Sequence, residues 1–422
     1  MLPKLFKMKK ENELTKEQIG KDIVAGIIVA IIALPLSIAL AISSGVSPEK
    51  GLITAIFAGF VISFLGGSKV QIGGPTGAFV VIVYGVVKTY GITGLITITM
   101  MSGIILVVMG LLKFGYLIKY VPQTITVGFT SGIAVTLLTT QLKDFFGLRI
   151  KDVPAEFIEK VESYIHNRST FDRATFLIGL ACIFILVYWP KVNKKIPASI
   201  IVLVLSTLVV NLFNLPTDTI GSRFNEISSS IPKPQIPHID LQIITTLIKP
   251  AITVALLGAI ESLLSCVVSD NMINDKHDSN MELVAQGLGN MASSIFAGIP
   301  ATGAIARTAA NVRNGGKSPI SGMVHAITLL IIMVVLMPLA KLIPMATLAA
   351  ILIVVSYNMG EWSHFRRLLS SSKSDVLVLV VTFVFTVVFD LVFAIGVGMT
   401  IHYVLKFVKS RRKKEEDELK AA

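Results

Sequence analysis

Charge is scarce in this chain: 15% of its 422 residues are charged against 53% hydrophobic, and the mean hydropathy is +0.76. One water-soluble core could not hide that much apolar surface, so a soluble enzyme is excluded first. Cysteine is scarcer still. Cys182 and Cys266 both fall inside apolar runs, where each is expected to pack as a small hydrophobe; a disulfide framework and redox chemistry are thereby excluded. Aromatic residues make up 8%, and 32 Gly and 17 Pro are scattered through apolar runs, so the long, polar-flanked strands of a pore barrel are missing. What remains is an all-α polytopic membrane protein. The formal charge of +12 would suggest nucleic acid in a soluble chain, but membrane proteins gather Lys and Arg on the cytoplasmic side, and no nucleic-acid partner is needed. A cleavable leader is not expected, because the first 22 residues are highly charged and the first apolar run is long enough to span.

At about 20 apolar residues per span, the pattern predicts helices near 23–43, 49–66, 75–90, 92–112, 122–142, 172–189 and 197–214. A polar stretch over 215–249 reads as an extended surface connection. Helices resume near 250–269, 280–298, 301–314, 318–339, 341–358, 375–389 and 391–408, with Asp390 at a turn between the last two. The expected division is a cytoplasmic segment 1–22, a seven-segment repeat over 23–214, an extracytoplasmic connection 215–248, a second repeat over 249–408 and a short cytoplasmic tail 409–422. An even number of spans puts both ends on one side. Both carry basic clusters, Lys4 to Lys21 and Arg411 to Lys414, which places them in the cytoplasm under the positive-inside rule. The connection over 143–173 mixes acids and bases in equal number and reads as a solvated surface without a chemical role.

The third and tenth segments are short and open on strong breakers, the mark of binding sites in transporters built from inverted repeats. One opens Gly73-Gly74-Pro75-Thr76-Gly77-Ala78 and the other Gly298-Ile299-Pro300-Ala301-Thr302-Gly303-Ala304, at the same ordinal place in each half. If the halves are inverted copies, the two helix N-termini face each other near the midplane. Each carries about half a positive charge and a ring of free N–H donors, so the space between them attracts anions. Gly-Pro pairs also merely kink helices, which is the plainer reading.

Glu261 lies near the middle of the eighth span, where a lone carboxylate is expensive and must face a cavity or be protonated. Three readings stand open: proton coupling, satisfaction of backbone amides in a broken helix, or sodium binding with Ser265 one turn away. Arg307, five residues after Thr302, adds a positive charge to the anion site, neutralises Glu261, or snorkels to the edge with Arg313. Lys88, Lys249 and Lys341 fall near segment ends, where snorkelling accounts for them. His325 and His402 are expected to be packed or hydrogen-bonded, since neither has a second metal ligand at usable spacing. No metal or cofactor is expected.

The run Asp22-Ile-Val-Ala-Gly, Ala33-Leu-Pro-Leu-Ser-Ile-Ala-Leu-Ala, Ser44-Gly-Val-Ser-Pro-Glu-Lys-Gly-Leu and Gly66-Gly-Ser-Lys-Val-Gln-Ile-Gly-Gly-Pro-Thr-Gly-Ala resembles the sulfate permease (SulP) family of anion transporters. The likeness continues through Tyr120 to Gly132, Glu261-Ser-Leu-Leu-Ser, Gly298 to Thr308 and Asn311 to Gly322, almost the whole membrane region. It implies fourteen segments in two inverted seven-segment repeats, a core and a gate domain, and commonly a homodimer. It also implies that the anion lies between the third and tenth helices beside the first and eighth, with contacts at Pro75, Thr76, Gly77, Ala78, Ala301, Thr302, Gly303 and Ala304. The first-helix contribution falls near Pro35, Ser37 and Leu40, and Arg307 matches a basic tenth-helix position. Glu261 matches an acidic position associated with protons when Glu and with sodium when Asp. The first helix lacks the Gln and aromatic residue seen in many relatives, and the sequence holds no STAS domain after the last span.

The reading is a secondary active transporter of a small inorganic or organic anion, sulfate first, coupled to a proton. Bicarbonate with sodium, chloride or a C4-dicarboxylate would use the same site. A nucleobase permease would need hydrogen-bonding side chains that the Gly- and Ala-rich openings do not supply. A passive anion channel needs no central acid, and no nucleophile, base and orienter group together as an enzyme would require.

Overall fold

The structure, a computed structural model, describes residues 1–193, 196–224, 227–237, 241–389 and 391–421, so Asp390 and its expected turn lie outside the described residues. Helices dominate: α1 (Lys4–Lys10), α2 (Lys16–Ser43), α3 (Pro48–Leu65), α4 (Gly77–Leu111), α5 (Gln123–Phe146), α6 (Phe157–His166), α7 (Arg173–Val192), α8 (Ala198–Leu212) and α9 (Ile220–Arg223). Then follow α10 (Leu241–Ile273), α11 (Ser279–Ile295), α12 (Ile305–Arg313), α13 (Ile320–Ala340), α14 (Met345–Met359), α15 (Trp362–Leu369), α16 (Lys373–Val388) and α17 (Leu391–Ala421). Two short strands, β1 (Gly73–Gly74) and β2 (Thr302–Gly303), precede α4 and α12. Among the described residues, eight helices are long and apolar enough to cross a membrane.

Local chemistry sets most boundaries. Thr15 accepts from Gln18 N to cap α2, Asp278 accepts from Asn280 N and Met281 N to cap α11, and Pro48 opens α3 at the first helical position, where its missing N–H costs nothing. α4 contains a break at Gly91, whose φ of 68° is not helical, so the two segments expected over 75–90 and 92–112 are its two arms. α10 departs most from expectation. It starts at Leu241, not near 250, because the chain runs through Pro250 without ending the helix; the stretch 215–249 is therefore partly helical, at α9 and at the first turns of α10. The tenth segment is shorter than expected, since 301–304 is spent on β2 and the α12 N-cap.

The helices pack in two sets. In one, α4 lies on α10 and α11, α3 on α11 and α13, and α2 on α3 and α13; in the other, α5 lies on α14 and α16, and α14 on α7. These sets are the core and gate of an inverted-repeat membrane fold. Within the first set, α4 and α11 meet backbone to backbone: a methyl on Gly287 would stand 2.5 Å from the Gly103 carbonyl oxygen, and one on Gly103 2.7 Å from that of Gly287. In lipid, where helix association has no hydrophobic drive, such small-residue crossings recover van der Waals contact. Cys182 and Cys266 are both buried and free, and Cys182 packs against Thr347.

Polar ties close each face. On the face where α2 begins, Lys4 pairs with Asp275 at 2.9 Å, and buried Asp22 accepts from Lys317 N, Ser318 N and Ser318 Oγ. On the other face, Arg223 grips Asp144 through both terminal nitrogens at 2.9 and 2.6 Å, and Ile220 N donates to Ile343 O. The 143–173 connection is not merely a solvated surface. It folds into α6, whose Lys160 and Tyr164 are buried against α4 and α5, because an amphipathic helix with mixed charge still presents one inward stripe.

Candidate functional site

β1 and β2 pair antiparallel, Gly73 opposite Gly303 and Gly74 opposite Thr302. Because the strands run in opposite senses, α4 and α12 leave the pair in opposite directions, and both N-terminal ends stay beside it. Neither end has a side-chain cap: Thr76 at the α4 N-cap and Ala304 at the α12 N-cap make no capping bond. The first-turn N–H groups of both helices are thus left without side-chain acceptors, which makes each a place for an anion.

The pair is pinned by residues that the sequence reading passed over. Asn290 clamps Ala301 twice, accepting from its N–H at 2.9 Å and donating to its carbonyl at 2.8 Å. Ser262 accepts from Gly303 N and lies 2.5 Å from the Thr302 hydroxyl, which also donates to Gly258 O. Gln71 donates to Ser262 O and accepts from Ser265 Oγ and Thr308 Oγ1, while Thr308 Oγ1 accepts from Ile72 N. These bonds join β1, β2, α10 and α12 into one buried polar layer. The spacing of Ser262 and Ser265 after Glu261, and Gln71 before the paired glycines, were the available signals.

The expected site residues therefore separate. Glu261 Oε2 accepts from Thr76 Oγ1 at 2.8 Å, and both side chains are only partly buried, whereas Ser262, Ser265, Thr302 and Thr308 beside them are closed off. Ser265 hydrogen-bonds to Gln71, not to Glu261. Arg307 is 3% exposed and donates from Nη2 to Pro75 O at 2.6 Å; it forms no ion pair with Glu261 and does not snorkel to the surface. Its Nη1 has no hydrogen bond. Gly74, with φ of 154°, leaves room for that guanidinium: a methyl there would stand 2.4 Å from Nη1. Leu137 closes on Gly77, and Ala78 faces a cavity described below. Pro35, Ser37 and Leu40 are buried, Ser37 where α2 meets α3 at Gly51; the Ser37 hydroxyl has no hydrogen bond and makes none to the strand pair. His325 is fully buried with neither ring nitrogen bonded, so it is packed and not hydrogen-bonded. Among the described residues, no group of three potential metal ligands comes together.

Two oppositely directed helices that start at a shared strand pair, beside a partly open carboxylate and a buried arginine, define a membrane transporter site built for a small charged solute. Residues 19–382 match the model of the sulfate permease family, and the chain belongs to that family of membrane anion transporters, which are not enzymes. YvdB of Bacillus subtilis (strain 168) is 43% identical over 389 residues, 92% of this chain and 73% of that protein. The bicarbonate transporter BicA of Picosynechococcus sp. (strain ATCC 27264 / PCC 7002 / PR-6) is 31% identical over 407 residues, covering 93% of this chain and 71% of its own. The solved transmembrane domain of a cyanobacterial BicA superposes with a TM-score of 0.81 at 30% identity, over 92% of this chain and 98% of that one.

Proposed function

We propose that the protein is a secondary active transporter that carries a small anion, sulfate first, together with a proton by alternating access. The observation that carries this reading is the Thr76–Glu261 hydrogen bond, which sets an ionisable carboxylate at the uncapped N-terminus of α4. An ionised Glu261 repels an anion at that terminus; a protonated one removes the repulsion and keeps an oxygen for the Thr76 hydroxyl. Loading of the anion and of the proton therefore favour each other, and the set containing α4, α10 and α12 moves against the set containing α5 and α14. Arg307, held by Pro75 O, supplies a fixed positive charge behind β1. The anion contacts on this reading are Thr76, Gly77, Ala78 and Ala304 with Arg307, while Ala301, Thr302 and Gly303 hold the backbone in place. The chain ends lie in the cytoplasm and the protein works as a homodimer in the cell membrane.

Similarity to the bicarbonate transporter BicA favours bicarbonate as the anion of a second reading, in which sodium takes the place of the proton. Uptake into proteoliposomes separates them: labelled sulfate, bicarbonate and fumarate are each offered under an imposed pH gradient and, separately, a sodium gradient. Accumulation of sulfate driven by protons is expected. Accumulation of bicarbonate driven by sodium alone replaces the first reading with the second, and equilibration without accumulation under either gradient leaves only a passive channel.

A further inference from the structure

A cavity of about 360 Å³ lies between α4, α5, α10, α16 and the segment leading into α6. Along α4 its wall extends from Ala78 in the first turn to Tyr90, a rise of about 18 Å at 1.5 Å per residue, so the cavity connects the candidate site to the face that carries α6. The wall is largely apolar, but Lys160, Lys249 and Glu156 also line it. Lys160 stands out. It is 4% exposed, yet among the described residues no carboxylate pairs with it; its ammonium lies 5.7 Å from the centre of the Tyr84 ring. Nearby Lys88 adds a second positive charge and donates to Val153 O. A buried ammonium with no counter-ion is costly, and a cavity is where one can be supplied.

We propose that Lys160 forms a second anion site in this cavity, where a small inorganic or carboxylate anion docks between bulk solution and the α4 terminus at Ala78. The inference rests on the reading that anions pass that terminus. Lys160 faces Tyr84 and Lys88 on α4; Tyr90 on α4, the exposed Lys249 on α10 and Glu156 before α6 line the same cavity, and α5 and α16 offer it Thr136 and Thr386 and no titratable group. Burial, reinforced by Lys88, pushes the Lys160 ammonium down to about 8. Its charge is complete well below that pH and is lost as pH rises through it, so docking weakens on the alkaline side.

Lysine methylation of the full chain in nanodiscs tests the site directly, since both faces are then accessible. Formaldehyde with cyanoborohydride is applied at pH 7.5 in sodium sulfate, chloride or fumarate, with sodium gluconate at equal ionic strength as reference, and modification is read at Lys160 and at exposed Lys317 by peptide mass spectrometry. At least one of the three anions should slow modification of Lys160 threefold or more while Lys317 is unaffected. Equal rates at Lys160 in all four salts overturn the proposal. In proteoliposomes, Lys160→Gln should raise the half-saturating anion concentration at least threefold with maximal rate retained, and Lys160→Arg should restore it and flatten the rise seen in the parent protein between pH 7 and 9. An arginine variant as weak as the glutamine variant also overturns it. Protection at Lys160 in a chain that accumulates no anion supports the docking site and refutes the transport reading; transport without protection does the reverse.

Discussion

The hydroxyl of Thr76 donates to Oε2 of Glu261 across 2.8 Å, tying the N-cap of α4 to the interior of α10. A threonine at an N-cap ordinarily turns its oxygen toward its own helix; here it is committed to a second helix, and α4 begins uncapped. Thr76→Val keeps the shape and removes the donor. A hydrogen bond to a charged or polar partner is worth about 1 to 2 kcal/mol, so proton-driven uptake should fall about five- to thirty-fold, while Thr76→Ser stays close to the parent. Initial rates in proteoliposomes check this, and a valine variant with unchanged rates would remove Thr76 from the mechanism.

Arg307 and Gly74 make a second pair whose coupling is measurable. Gly74→Ala pushes a methyl to within 2.4 Å of Nη1 and displaces the guanidinium from Pro75 O, whereas Arg307→Ala empties that space. Each single change should lower the thermal unfolding midpoint in detergent. The double variant should be less damaged than the sum of the two by about 0.5 to 3 kcal/mol, the range for residues in contact. Strict additivity would mean that the two do not meet.

Asn290 holds both backbone groups of Ala301. Asn290→Ala leaves a buried N–H and a buried C=O without partners and should destabilise the protein by about 1 to 3 kcal/mol. Loss of the β1–β2 pairing should follow, with anion uptake falling further than the unfolding midpoint alone accounts for. A variant that transports normally would show that the strand pair persists without its clamp.

How far the sequence carried the reading depends on the kind of information each feature needs. The two breaker motifs were legible because Gly, Pro and Thr-Gly-Ala interrupt apolar runs at matching places, and Glu261 because a lone carboxylate in a span is costly and must face a cavity or be protonated. The broken segment at Gly91 was legible for the same reason. The strand pair was not, since two-residue strands leave no periodicity and their partners are more than 200 residues apart. Gln71, Asn290 and Thr308 were passed over because neutral polar residues in a span look alike until their partners are known. The 143–173 connection was misjudged for a related reason: solvation explains a charge from its position along the chain, but Lys160 is buried against Tyr84 of a distant segment.

Glu261→Gln gives the most direct measurement, because it keeps an oxygen for Thr76 and removes the titratable proton. A gradient of one pH unit is worth about 1.4 kcal/mol per coupled proton, enough for about tenfold accumulation when the membrane potential is clamped. The parent protein should reach that level in sealed vesicles, and the glutamine variant should only bring internal and external anion to equality. Tenfold accumulation by the glutamine variant, responding fully to the pH gradient, would contradict the account.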